Sequence, residues 1–403
     1  MKKVLIIEDD QVVANIYRNK LAVEGFQVEI ARDGQVGLDM VHSFHPDVVL
    51  LDLVLPSIPG IELMRTIRAE PALQQLPVIV FSNTYLTNMI QEAWKAGATK
   101  CLSKANCTPR QVIDVVRSSL GTNGTLPKSP GDTSFMYSPK AKAAGHSDEA
   151  STGTSAAADA EFQSELRDSF ITNLPGILVA VRAALTGAVK ATSEKKRLKE
   201  LQELYRRTHA LTGNAALTGM TLIAQTADAL EALTKELHDN PKNINASTLR
   251  TAASAVDFLG ALFERGHVAD KGNGPARALI VDDEDIAIKA IAYALEKAKL
   301  KSHGVTDPLR ALDLLLENRF DLIILDVGMP NMDGFEFCSK VRTLSAYKKT
   351  PVIFVTSLND FETRANSTMS GGNDFIAKPF LFIELATKAV VHVLRARLEL
   401  AKA

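Results

Sequence analysis

The chain has 403 residues, a formal net charge of −1 and only 6% aromatic residues. It is too long for one core, and it lacks the basic excess of a nucleic-acid-binding domain, so no nucleic-acid partner is expected. Cys101, Cys107 and Cys338 form neither a metal-ligand pattern nor a disulfide framework, which fits a reducing, cytoplasmic compartment. The opening "MKKVLIIEDD" loses its apolar run at Glu8, too early for a signal peptide, and no uninterrupted stretch reaches the roughly 18 apolar residues that span a bilayer. Membrane insertion is therefore not expected.

In chain order, residues 1–121 give strands at 3–7, 26–30, 47–51, 77–81 and 99–102, with longer helical patterns between them. The run "VVLL" is apolar throughout, as for a strand covered on both faces. Alternating strands and helices predict a doubly wound, flavodoxin-like parallel sheet of five strands, with its site at the carboxyl ends of the strands. Residues 122–160 are rich in Ser, Thr, Gly, Pro and Ala and read as a flexible linker. Residues 161–267 hold four amphipathic segments, which predict an all-α four-helix bundle. A short linker, 268–275, contains "KGNGP".

Residues 276–400 repeat the first domain. "VLIIEDDQ" returns as "ALIVDDED", "DVVLLDLVLPSIPG" as "DLIILDVGMPNMDG", and "PVIVFSNT" as "PVIFVTSL". Asp9 and Asp283, Asp52 and Asp326, Ser82 and Thr356, and Lys104 and Lys378 are all 274 residues apart. Chance rarely keeps four spacings identical, so two α/β sheets flank the helical bundle.

Most of the repeated positions are polar and fall at strand ends, which core packing does not require. Glu8, Asp9 and Asp52 in the first copy, and Asp282, Asp283 and Asp326 in the second, converge on one crevice each. Three such carboxylates repel one another unless a cation joins them, and an all-oxygen set suits one Mg²⁺ per domain. A metal-bound carboxylate beside a lysine (Lys104, Lys378) and a hydroxyl (Ser82, Thr356) is arranged to receive a phosphoryl group. Asp52 and Asp326 are the expected nucleophiles.

On these residues both copies resemble receiver domains of two-component response regulators. The resemblance implies aspartyl-phosphate at Asp52 and Asp326, and Mg²⁺ held by the acidic pair, that Asp, and the backbone carbonyls of Val54 and Gly328. The second copy keeps Thr356, "MPNMDG", Lys378-Pro379, and Phe375 at the aromatic switch position. The first departs at Ser82, at Ala105 after the lysine, at Cys101 in the aromatic position and at Pro59 in the "DG" turn. Every phosphate-contacting residue type is retained.

The middle reads His209-x-Leu211-x-Gly213 followed by Gly219, similar to the "HxLKGxxxxxG" motif of histidine phosphotransfer (Hpt) domains. Such a histidine is expected on an exposed helix face, with Gly213 one turn away giving clearance to a docking receiver. Thr212 stands where the family usually has Lys, and Arg206, three residues before His209, is expected to compensate from the same face. Arg206, Leu211, Thr212, Gly213 and Gly219 form the expected docking face.

The expected function is a phosphorelay: acceptance on Asp52 and Asp326, and transfer to or from His209. No kinase ATP-binding motif is present, so a sensor histidine kinase and other receiver or Hpt proteins are the expected partners, with output through protein contacts. The alternative is a phosphorylation-switched adaptor whose bundle is only a spacer or dimerisation element. A phosphate sink is a third reading.

Overall fold

The computed structural model describes residues 1–82, 87–104, 109–121, 152–265, 274–356 and 370–400. Two units divide the chain: Met1–Pro175 with His209–Met220, and Gly176–Thr208 with Thr221–Ala403.

In the first unit the strands are β1 (Lys3–Ile7), β2 (Gln27–Ala31), β3 (Val48–Leu51), β4 (Val78–Ser82) and β5 (Lys100–Ser103). Between them run α1 (Gln11–Val23), α2 (Gly34–Phe44), α3 (Gly60–Ala69) and α4 (Thr87–Lys95), and α5 (Pro109–Gly121) follows. The sheet is parallel, in the order β2-β1-β3-β4-β5. Strands β2 to β5 each sit about one residue later than the apolar runs suggest, a shift within the ordinary uncertainty of strand ends. Leu5, Ile7, Val49 and Leu51 pack into one apolar layer. Val4, Ile6, Val48 and Leu50 pack into the other. This period-2 division is why the central strands are apolar throughout. The chain leaves β1 for β2 on one side and crosses to β3 on the other, so a crevice opens above the ends of β1 and β3.

The second unit repeats the plan with β6 (Arg277–Val281), β7 (Lys301–Val305), β8 (Leu322–Asp326), β9 (Val352–Thr356) and β10 (Asp374–Ala377). Their order, β7-β6-β8-β9-β10, is that of the first sheet. The helices here are α10 (Asp285–Lys297), α11 (Pro308–Glu317), α12 (Gly334–Thr343) and α13 (Phe382–Leu400). Between the sheets in sequence lie α6 (Thr152–Lys190), α7 (Glu194–Leu217), α8 (Thr221–Asp239) and α9 (Ala246–Glu264). Helix α9 starts on a capping box, in which Asn245 accepts from Thr248 N–H and Thr248 Oγ1 accepts from Asn245 N–H. Within the second unit α13 joins α8 and α9 through polar contacts. Thr387 Oγ1 donates to the Ala229 carbonyl at 3.1 Å, and Ser247 and Thr251 donate to the buried carboxylate of Glu384 at 2.6 and 3.1 Å.

Three expectations change. Helix α6 begins at Thr152, inside the stretch 122–160 that reads as linker. Its first residues, "TGTSAAADA", include four alanines, the best helix formers, and composition alone hid that. Residues 122–151 lie outside the described residues. Second, Arg167–Lys190 is, by length and composition, apolar enough to cross a membrane. Arg182 interrupts the run without making the stretch polar. Its Val181, Ala184, Leu185 and Ala188 are buried in the protein and form one apolar stripe, while 28% of the most apolar window is buried. Third, Gly219 ends α7. Its φ is +71°, its N–H donates to Ala216, and Met220 N–H donates to Ala215. This is a Schellman cap, which glycine fills without a Cβ penalty, so the second glycine of the motif serves to end the helix.

Candidate functional site

In the first unit, Glu8 follows β1, Asp52 follows β3 and Lys104 follows β5. The Asp52 N–H donates to the Ile7 carbonyl at 3.0 Å, which fixes the two acidic turns side by side. Lys104 Nζ lies 2.5 Å from Asp52 Oδ2 and 2.8 Å from Glu8 Oε2, and Asp52 Oδ1 accepts the Leu53 and Val54 N–H groups at 2.6 and 3.3 Å. One carboxylate oxygen each from Glu8, Asp9 and Asp52 lies within 4.8 Å of the others. Burial opposes ionisation of Asp52, but Lys104 and His209 outweigh it and hold its carboxyl well below the usual range. Burial pushes Glu8 well up, and the neighbouring acids add to the rise against the pull of Lys104. Burial also works against the charge of Lys104, and the two carboxylates overcome it and raise its pKa.

His209 belongs to this unit. Its Nε2 lies 3.8 Å from Asp52 Oδ1, and the residue is only 2% exposed. The helix face expected to enter a receiver crevice is covered here, and Leu211, Thr212 and Gly213 are buried with it. The last turns of α7 lie against the strand-end crevice, where Asn214 Nδ2 donates to Asp10 Oδ2 at 2.5 Å. Leu217 packs against the apolar layer that includes Val13 and Tyr17 of α1. Arg206 Nε and a guanidinium nitrogen lie 3.2 and 3.0 Å from the Glu203 carboxylate. The cation beside Asp52 is Lys104.

In the second unit Lys378 bridges Asp282 and Asp326 at 2.7 and 2.8 Å, and Asp326 Oδ2 accepts the Gly328 N–H at 2.7 Å. Burial raises the Asp282 carboxyl, against the hydrogen bond from Lys378. Asp283 is exposed and, among the described residues, does not gather with the other two as Asp9 does. Thr356 is buried at the end of β9, and Phe375 packs beside the layer of Phe337, Tyr347 and Phe354. In both sites the glycine that opens the following helix is required by close approach. A Cβ on Gly60 would sit 2.2 Å from the Asp52 carbonyl oxygen, and one on Gly334 would sit 2.2 Å from that of Asp326. Asp333 caps α12 through the Glu336 N–H, whereas Pro59 gives α3 no side-chain cap.

The family model of the response regulator receiver domain matches residues 4–117 and again 278–390, more than half of the chain. The chain belongs to the response regulator receiver family. The Hpt domain model matches residues 165–258, between the two receivers. Receiver–Hpt–receiver is the order of a two-component phosphorelay signalling protein. The transcriptional regulatory protein SrrA of Staphylococcus aureus is 35% identical over 102 residues, 25% of this chain and 41% of that protein, so the chain spans less than half the length of that relative. Among solved structures, the chemotaxis protein CheY4 of Vibrio cholerae is 33% identical, covering 29% of this chain and 97% of that one (TM-score 0.28). The receiver domain of a signal transduction histidine kinase from Syntrophus aciditrophicus is 32% identical, covering 30% and 90% (TM-score 0.28).

The residues of the first receiver fit a divalent cation. Their donors are all oxygen, three carboxylates converge, and Glu8 is driven toward protonation that a metal would relieve. Of the family's other positions, Ser82 ends β4 while Ala105 and Cys107 lie outside the described residues. Burial pushes the Cys101 thiol up to about 12, so at neutral pH it is a small apolar group. Sequence reasoning missed Asp10 and Asn214, 204 residues apart, and no spacing could have paired them. A cavity of about 200 Å³ between the ends of α11 and α12 is lined by Leu315, Asn318, Leu344 and Tyr347, and not by Asp52, His209 or Asp326.

Proposed function

We propose that Asp52 and His209 of one chain exchange a phosphoryl group, that Asp326 is a second, separate acceptor, and that the phosphoryl group originates on a sensor histidine kinase or another receiver or Hpt protein. The observation that carries this reading is the 3.8 Å between His209 Nε2 and Asp52 Oδ1, a gap one phosphorus atom can bridge. Transfer needs the Nε2 lone pair, so His209 acts neutral with its proton on Nδ1. Its attack on phosphorus forms an N–P bond as the Oδ1–P bond breaks, and the electron pair returns to the Asp52 carboxylate. The Leu53 and Val54 N–H groups and the Lys104 ammonium receive that charge without rearranging. The reverse step runs through the same contacts. Mg²⁺, held by Glu8, Asp9, Asp52 and the Val54 carbonyl, would neutralise the phosphoryl oxygens. In the second receiver Asp282, Asp283, Asp326 and the Gly328 carbonyl are the proposed counterparts, with Thr356 and Lys378 on the phosphate. Burial of His209 supports a site that excludes water, in which a phosphohistidine would be slow to hydrolyse. We place the protein in the cytoplasm.

The test is a time course with radiolabelled acetyl phosphate and Mg²⁺, comparing wild type with Asp52→Asn, Asp326→Asn and His209→Gln. Phosphohistidine survives alkali and aspartyl-phosphate does not. The alkali-stable signal should vanish in His209→Gln, fall at least tenfold in Asp52→Asn, and persist in Asp326→Asn. A wild-type chain that never shows it would leave the adaptor reading.

A further inference from the structure

The two receivers share their acceptor chemistry, so something else must determine which one His209 serves. Besides His209, Asn214 and Leu217 of helix α7 meet the first receiver. Asn214 donates its amide to Asp10, and Leu217, three residues on and on the same helix face, packs against the layer holding Val13 and Tyr17. Asp10, Val13 and Tyr17 themselves lie at i, i+3 and i+7 of the α1 start, one continuous stripe. At the 274-residue offset the second receiver carries Glu284, Ala287 and Ile291. Glu284 is exposed, and its carboxylate stands one methylene further from the backbone than that of Asp10. Ala287 offers less apolar surface than Val13. The stripe therefore differs at all three positions, including the Asp10 that Asn214 meets, while Asp, Lys and acidic pair are shared.

We propose that Asn214 is a specificity-determining residue: its hydrogen bond to Asp10, backed by Leu217, directs His209 to Asp52 and away from Asp326. This rests on the reading that His209 and Asp52 exchange phosphate. Asn214 touches neither phosphorus nor metal, so it acts by positioning. An amide–carboxylate bond is directional, and its loss matters most when the amide is replaced by a second carboxylate facing the first.

The experiment uses the full chain with Asp326→Asn, so that Asp52 is the sole aspartyl donor, and acetyl phosphate with Mg²⁺. The readout is the rate at which alkali-stable phosphohistidine forms per aspartyl-phosphate present, which normalises each variant to its own Asp52 loading. Asn214→Asp should lower that rate about a hundredfold, because like charges then face each other. Adding Asp10→Asn restores a carboxylate–amide pair with the roles reversed, and should recover the rate to within about threefold of wild type. In a parallel Asp52→Asn chain, where only Asp326 can donate, Asn214→Asp should change nothing. An Asn214→Asp chain that transfers at the wild-type rate, a double variant as slow as the single one, or equal slowing through Asp326 overturns the assignment alone. Absence of phosphohistidine in the Asp326→Asn parent overturns the exchange reading beneath it.

Discussion

The two receivers place the same acceptor chemistry in different surroundings. Lys104 is 4% exposed and locked between two buried carboxylates, with the α7 histidine beside Asp52. Lys378 makes the equivalent pair of contacts at 21% exposure, and Asp283 is exposed. Equivalent residues at equivalent positions thus do not specify equal access. The residues around the crevice, which differ between the copies, decide whether the acceptor is enclosed.

The largest expected effect tests that contrast directly. Lys104→Met leaves Glu8 and Asp52 buried without their cation, which should cost the first receiver about 3–5 kcal/mol. Trp94, the only tryptophan, packs against that receiver's core, so urea unfolding followed by its fluorescence measures the loss. Lys378→Met should leave the Trp94 transition where it is. Next come Gly60→Ala and Gly334→Ala, each expected to destabilise its own domain by about 3 kcal/mol, because the obstructing atom is backbone in both. Unequal losses would break the claim that the two turns are built alike.

A third expectation belongs to the second receiver. Asp374 is held at about 2: burial works against its charge, and His392 and Lys388 overcome that. A depressed carboxyl contributes stability above its unfolded pKa and loses it as pH falls through the folded value. About 2 kcal/mol should therefore be present above pH ~4 and disappear toward pH ~2. Acid unfolding of Asp374→Asn, followed by circular dichroism, should lack that decline; an unchanged pH profile would refute it. The smallest effect is Asp333→Ala, about 1 kcal/mol for the lost cap, with no counterpart at Pro59.

Much of this was legible in the sequence. The 274-residue repeat identified both sheets, and apolar runs ending in Glu8, Asp52 and Lys104 located the first crevice, because parallel strands bring their carboxyl ends together. The helix beside that crevice was not legible. His209 reads as a phosphotransfer histidine from its motif, but which receiver it faces does not read out, because local pattern cannot see a partner 157 positions away in the chain. Gly219 reads as part of a motif because a Schellman cap and a docking glycine look alike in one dimension. The early start of α6 was hidden because alanine serves both linkers and helices. The pairing of Arg206 with Glu203, three residues before it, follows from helical spacing and was open to the same reading.

The nearness of His209 and Asp52 within one polypeptide has a kinetic consequence. The proposed exchange across that gap would be unimolecular, and its rate constant would carry no dependence on how many copies of the protein a cell holds. Dilution would slow the arrival of each phosphoryl group and leave its redistribution between imidazole and carboxylate untouched. The balance between the two forms would then be a fixed property of the chain, the same in a crowded cell and a sparse one.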